Sequence, residues 1–395
     1  MSPGTSRLQS ELVRDQNLSL IMGTLLRAPA SRKQLHAQTK VGSGTITRLV
    51  NRLLDNGYLE EIAPNLDRQT TTGRPEVQLR PRGADGRLLI GLQIQAKVVT
   101  ADAFTLSGER VLSSEQEHQH KSRRAVIDQS IELTHGVIDE VGSDRILGVG
   151  VSAGGHVDFV TGHLISSPTL GWRRTDLRGE LARGISCPIV VDNSVRSLAV
   201  ERLLWSDWSA PNMLVVVVAG AISSAVVVDH ALYRGAMAAA GDITHFPVAL
   251  PATASCACGQ TGCASSTLTD AALLDRARQA RLVPGDAGWE ALFTDGPAEL
   301  LQMRRDRAHH LGRTLGHLMA FTDPDCVVIA GAIGDRDDIS ECIHQARQTP
   351  YGHPARKTPI RTWAVTEHEW SAGAAALLLD DFLRRPTAYD GSLAR

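Results

Sequence analysis

Ser31-Arg-Lys-Gln-Leu-His-Ala-Gln-Thr-Lys40, Val41-Gly42 and Ser43-Gly-Thr-Ile-Thr-Arg-Leu-Val-Asn-Arg-Leu-Leu-Asp55 read as two helices joined by a tight turn. Ser31 and Ser43 are N-cap residue types, and Asn56-Gly57 supplies a residue suited to the left-handed stop after the second helix. In that helix Ile46, Leu49, Val50, Leu53 and Leu54 form one apolar stripe. Gly44, Thr45, Thr47, Arg48, Asn51 and Arg52 are left on the other side. Upstream, Leu18, Ile21, Met22 and Leu25 predict a helix over 17–28, stopped by Pro29. Downstream, Tyr58–Ile62 and Glu76–Arg80 alternate like a two-stranded ribbon around a polar, partly basic loop that ends in Arg74 and Pro75. The order predicts a winged helix-turn-helix over residues 1–82.

Such a unit presents the helix after the turn to a major groove, where its first residues reach base edges. Ser43, Thr45, Thr47 and Arg48 are the candidates for bases. Arg52 is the candidate for phosphate, and Arg74 for an A·T-rich minor groove. The alternative is a small helical protein-interaction module. The order of turn, capped helix and basic wing favours DNA, and the charge agrees with it. Residues 1–83 hold twelve Lys or Arg against seven Asp or Glu, a balance of +5, while the remainder holds 29 against 36, or −7. A basic head on an acidic body predicts a polyanionic partner, double-stranded DNA.

The other three quarters of the chain changes character. Leu88–Ile94 and Val98–Phe104 read as paired strands, Arg123–Val141 as an amphipathic helix, and Ile146–Val151 and Pro188–Asp192 as further strands. A helix starts at Ser194, and Met213–Val218 and Ala225–Asp229 open a second series of strands. Helices over 297–321 and 371–384 flank a last strand, Cys326–Ala330. Two successive α/β units predict two lobes around a cleft, the first about 86–195 plus the C-terminal helix and the second about 196–370. No apolar run approaches the ~20 residues of a membrane span. Residues 1–16 lack the apolar centre of a secretion signal. Six cysteines, three of them between Cys256 and Cys263, read as metal binding in a reducing compartment, so a cytoplasmic protein is expected. Arg304-Arg-Asp-Arg307 reads as a solvated helical face.

Residues 86–395 resemble the ROK (repressor, ORF, kinase) family. The resemblance rests on Gly154-Gly-His-Val-Asp158 with Thr161-Gly162, Leu170-Gly-Trp172, Val191-Asp-Asn193, Leu232-Tyr-Arg-Gly235, Ala240-Gly-Asp-Ile-Thr-His245 and Cys256-Ala-Cys-Gly-Gln-Thr-Gly-Cys263. It implies an actin-like ATPase fold. With the helix-turn-helix in front, the chain is similar to the repressor branch, of the N-acetylglucosamine and xylose type. Zinc prefers four nitrogen or sulfur ligands, and the cysteine run supplies three. The resemblance places His245 fourth, which makes one closed, structural Zn2+ site per chain.

The resemblance also sets out what a sugar kinase of this fold needs. The first phosphate loop has Gln93 where an Asp is expected and Gln95 where a Gly is expected. The catalytic base position holds Ser194. The second glycine loop has Ala219, Ala221 and Ser223 in place of glycines. A serine without an adjacent base does not accept a proton near neutral pH, so no enzymatic activity is expected. The family's sugar contacts fall on Thr169, Asn193, Asp242 and His245, a reduced set. The expectation is a homodimeric or homotetrameric repressor of carbohydrate-related genes, with a sugar or another small molecule as effector. Its rivals are a regulator without a sugar ligand, controlled by a protein partner or another small molecule, and a residual sugar kinase.

Overall fold

The computed structural model describes residues 3–62, 76–118, 122–206, 210–248, 255–294, 296–331, 336–348 and 357–394. These fall into two compact units, 1–207 with 367–395 and 208–366.

The first unit begins with helix α1 (Pro3–Arg27), a two-residue strand β1 (Ala30–Ser31), α2 (Arg32–Thr39) and α3 (Ser43–Asp55). β2 (Leu59–Ile62) and β3 (Gln78–Pro81) follow, in an antiparallel sheet of order β1-β3-β2. Ser31 caps α2 as expected: its hydroxyl accepts from the Gln34 amide, and the Gln34 side chain accepts from the Ser31 amide. Lys40, in the left-handed conformation, ends α2. Ser43 does not cap α3. Gly42 holds the N-cap position without a side-chain bond, and Ser43 is already the first helical residue. Gly57, at φ +74°, makes the turn into β2. α1 starts fourteen residues before the expected Asn17, because Leu12 and Val13 on its early turns stay exposed and contribute no buried stripe.

The same unit continues with β4 (Leu88–Ile94), β5 (Val98–Thr105), β6 (Arg110–Glu117), α4 (Arg123–Val141) and β7 (Ile146–Ala153). Then come a small antiparallel sheet of β8 (His156–Asp158), β9 (His163–Ser167) and β10 (Trp172–Asp176), α5 (Leu177–Leu181), β11 (Ile189–Asn193) and α6 (Ser194–Trp205). The main sheet runs β11-β7-β4-β5-β6. The second unit contains β12 (Met213–Val218), β13 (Ile222–Val228), β14 (Ala231–Tyr233), α7 (Ala264–Thr267), α8 (Asp270–Gln279), α9 (Ala298–Thr322), β15 (Cys326–Gly331), α10 (Arg336–Ala346) and β16 (Ile360–Trp363). Its sheet runs β14-β13-β12-β15-β16. In each sheet the first strand pairs antiparallel with the second and parallel with the fourth, so one topology occurs twice.

The chain then returns to the first unit through α11 (Glu367–Arg384) and α12 (Pro386–Tyr389). α11 lies on β4 and β7 at backbone distance, which the sequence permits with glycines. A Cβ on Gly91 would sit 1.9 Å from the Ser371 carbonyl oxygen, and one on Gly150 would sit 1.8 Å from that of Ala374. Larger residues at either position would push the helix off the sheet.

One expectation is overturned in the second unit. Arg304 and Arg307 are not solvated; each is almost fully buried. Arg304 donates to Asp338 at 2.5 Å and Arg307 to Asp270 at 2.5 Å. The partners lie 34 and 37 residues away, beyond the reach of a local reading.

Candidate functional sites

In the head, α3 buries Ile46, Leu49, Val50 and Leu53 completely. That leaves Ser43, Thr47 and Arg48 exposed, with Thr45 and Arg52 half-buried. Arg52 donates to the carbonyl of Leu393 at 3.3 Å, so one end of its guanidinium is taken by the chain's own C-terminal segment. Burial, followed by the charges of Arg48 and Arg14, lowers the pKa of Arg52. Arg14 on α1 was not expected here. It lies outside the helix expected from Asn17, and in the fold it lines a surface trough with Thr45 and Arg48 of α3. Arg74 lies outside the described residues.

In the second unit His245, Cys256, Cys258 and Cys263 are brought together as expected, with their ligand atoms within 4.8 Å of one another. Cys256 Sγ is 3.4 Å from His245 Nδ1, and Cys258 Sγ is 3.6 Å from Cys263 Sγ. Zn–S bonds of about 2.3 Å in a tetrahedron place sulfurs about 3.8 Å apart, so these separations are close to those a zinc ion would set. The backbone sets this spacing. Cys256 and Gln260 pair across a tight knuckle, Gly259 turns it at φ +88°, and Ala264 N donates to Phe246 O beside His245. The Cys258 backbone amide and then the Ser265 hydroxyl favour the Cys256 thiolate, lowering its pKa to about 6. A thiolate is the form that binds metal.

In the first unit the kinase-like positions meet in an uncharged network. Gln93 and Ser152 are cross-strand neighbours on β4 and β7, and their side chains hydrogen-bond. Gln93 Nε2 also donates to Ser194 Oγ at 3.3 Å. All three residues are buried. The two positions where the family's kinases carry carboxylates are therefore occupied by neutral groups bonded to each other. Asn193 is used at both ends of its amide. Its oxygen accepts from the amides of Val195 and Arg196 at the start of α6, and its nitrogen donates to Gly155 O at 2.6 Å. The Thr169 hydroxyl is 3.1 Å from that of Ser167. In the second unit Asp242 accepts from the Thr244 amide at 2.9 Å, closing its own turn, and His245 faces the thiols. The loop expected under a nucleotide is a hairpin from β12 to β13 in which Ala219 N donates to Ala221 O at 2.9 Å. Among the described residues, no helix is long and apolar enough to cross a membrane.

Comparison with known proteins agrees with this anatomy. A transcriptional regulator of Mycobacterium tuberculosis is 28% identical over 400 residues, covering 95% of this chain and 89% of that protein. The xylose repressor of Bacillus subtilis is 23% identical over 380 residues, covering 94% and 97%. A solved ROK-family transcriptional regulator, described as a homologue of the Escherichia coli MLC protein, matches the fold with a TM-score of 0.77 at 18% identity, covering 97% of this chain and 98% of that one. The duplicated five-stranded sheets are thus the actin-like ATPase fold that the motifs implied. The ROK family model matches residues 89–381, and the chain belongs to the ROK family.

Proposed function

We propose that this chain is a DNA-binding transcriptional repressor of carbohydrate-related genes, acting in the cytoplasm as a homodimer or homotetramer. Residues 1–82 are its winged helix-turn-helix, and residues 86–395 are a sensor domain without kinase activity. The observation that carries this reading is the free face of α3. Ser43, Thr47 and Arg48 stand exposed on a helix whose other side is wholly buried, in the position a recognition helix occupies. The M. tuberculosis regulator and the B. subtilis xylose repressor support it by their names. Selection of duplexes from a random pool tests it. Recovery of a recurrent motif, with two half-sites for a dimer, is expected; unenriched sequence after repeated rounds contradicts it.

The absence of a base supports a non-catalytic domain. Proton abstraction from a sugar hydroxyl needs a carboxylate within hydrogen-bond reach, and Gln93 and Ser194 supply amide and hydroxyl instead. Sugar-dependent ATP turnover by the purified protein would overturn this. His245, Cys256, Cys258 and Cys263 would hold a zinc ion, which when bound supplies a structural crosslink between the segments around His245 and the knuckle.

A second reading of the effector is favoured by Asn193. An asparagine engaged as a helix cap and as donor to Gly155 has less to offer a sugar hydroxyl, and Asp242 is likewise engaged in its own turn. On this reading the effector is a different small molecule or a protein. Thermal-shift measurements across sugars, sugar phosphates and nucleotides separate the readings, because a ligand of the folded state raises the melting temperature.

A further inference from the structure

A surface trough beside α3 is lined by hydrogen-bond donors from two helices. Arg14 and Asn17 are three residues apart on α1 and so share one face of that helix. With Thr45, Arg48 and Leu49 of α3, and Ser10 and Val13 of α1, they line an open surface trough of about 430 Å³. Arg52 lies one turn beyond Arg48 and feels the charges of both Arg48 and Arg14. Three guanidinium groups from two helices therefore share one corner of the head.

We infer that this trough seats a backbone phosphate of the operator duplex, with Arg14 and Asn17 donating to it from α1 while Arg48 approaches from α3. The inference rests on the DNA-binding reading of α3 and adds to it a second helix that touches the duplex. A guanidinium fork beside a carboxamide suits the several acceptor oxygens of a phosphate. A phosphate contact from α1 fixes the depth and tilt of α3 in the groove without reading sequence itself.

The test measures binding of the whole chain to the selected duplex and to a mixed-sequence duplex of equal length, across a salt series. Arg14→Gln should weaken both by about tenfold and reduce the log–log salt slope by about one per bound protomer, leaving the preferred motif unchanged. Arg14→Lys should restore most of the slope, and replacing single phosphates by methylphosphonates should reveal one position where wild type loses affinity and Arg14→Gln loses little more. An unchanged slope in Arg14→Gln, with circular dichroism and melting temperature like wild type, overturns the inference while DNA binding by α3 stands. A changed sequence preference also overturns it, since Arg14 would then read bases. Failure of the wild-type chain to bind any duplex removes both proposals.

Discussion

At the scale of single residues, the positions that resemble a kinase site hold neutral groups. Gln93 and Ser194 were legible as departures from the kinase pattern. Their mutual hydrogen bond was not, because it depends on β4 and β11 both pairing with β7, which brings the start of α6 beside Gln93. Ser194→Asp should lower stability by roughly 1–3 kcal/mol, since it places a carboxylate at a buried position fitted to a hydroxyl. Urea unfolding measures this, and a variant of unchanged stability that turns over ATP with sugar would contradict the account. The cysteine cluster was the most legible site, because three thiols in eight residues have few other uses. Cys258→Ser should lose the bound metal, close to one zinc per chain in the wild type, and should lower the melting temperature by several degrees. Elemental analysis with a thermal melt decides it. A variant that retains its metal would remove Cys258 from the ligand set.

At the scale of elements, the segment after α11 ties the head to the sheet on which α11 rests. Tyr58, fully buried just before β2, stacks on Phe382 of α11 with ring centroids 5.5 Å apart. Its hydroxyl donates to Asp390 at 3.0 Å, Arg87 lies 3.6 Å from the same carboxylate, and Ser392 bonds Asn56 at 2.8 Å. None of this could be read locally, since the partners are more than three hundred residues apart. Burial works to raise the Asp390 pKa, but Ser392, Tyr58 and Arg87 together outweigh it and hold the carboxyl below its usual range. A depressed folded-state pKa contributes stability above the unfolded value, about 4, and loses it as pH falls through the folded value. Wild type should therefore lose stability below about pH 4 more steeply than Asp390→Asn. Near pH 7 Asp390→Asn should be less stable by about 1 kcal/mol. Parallel acid-unfolding curves for the two proteins would show that this contact contributes nothing.

At the scale of the molecule, the order of elements was legible early. The helix-turn-helix order and the two strand series are both found in the structure, because each is a pattern of many residues. What escaped were the long-range pairings of Arg304 with Asp338 and Arg307 with Asp270, and also the early turns of α1, where exposed Leu12 and Val13 give no buried stripe. The account's central claim is that the amino-terminal head places this chain on DNA. Genome-wide occupancy in its native cells, wild type against Arg48→Glu, tests it most directly. Discrete sites upstream of genes, abolished in Arg48→Glu at equal abundance and melting temperature, are the predicted result; the same sites occupied to the same depth by both proteins would contradict it.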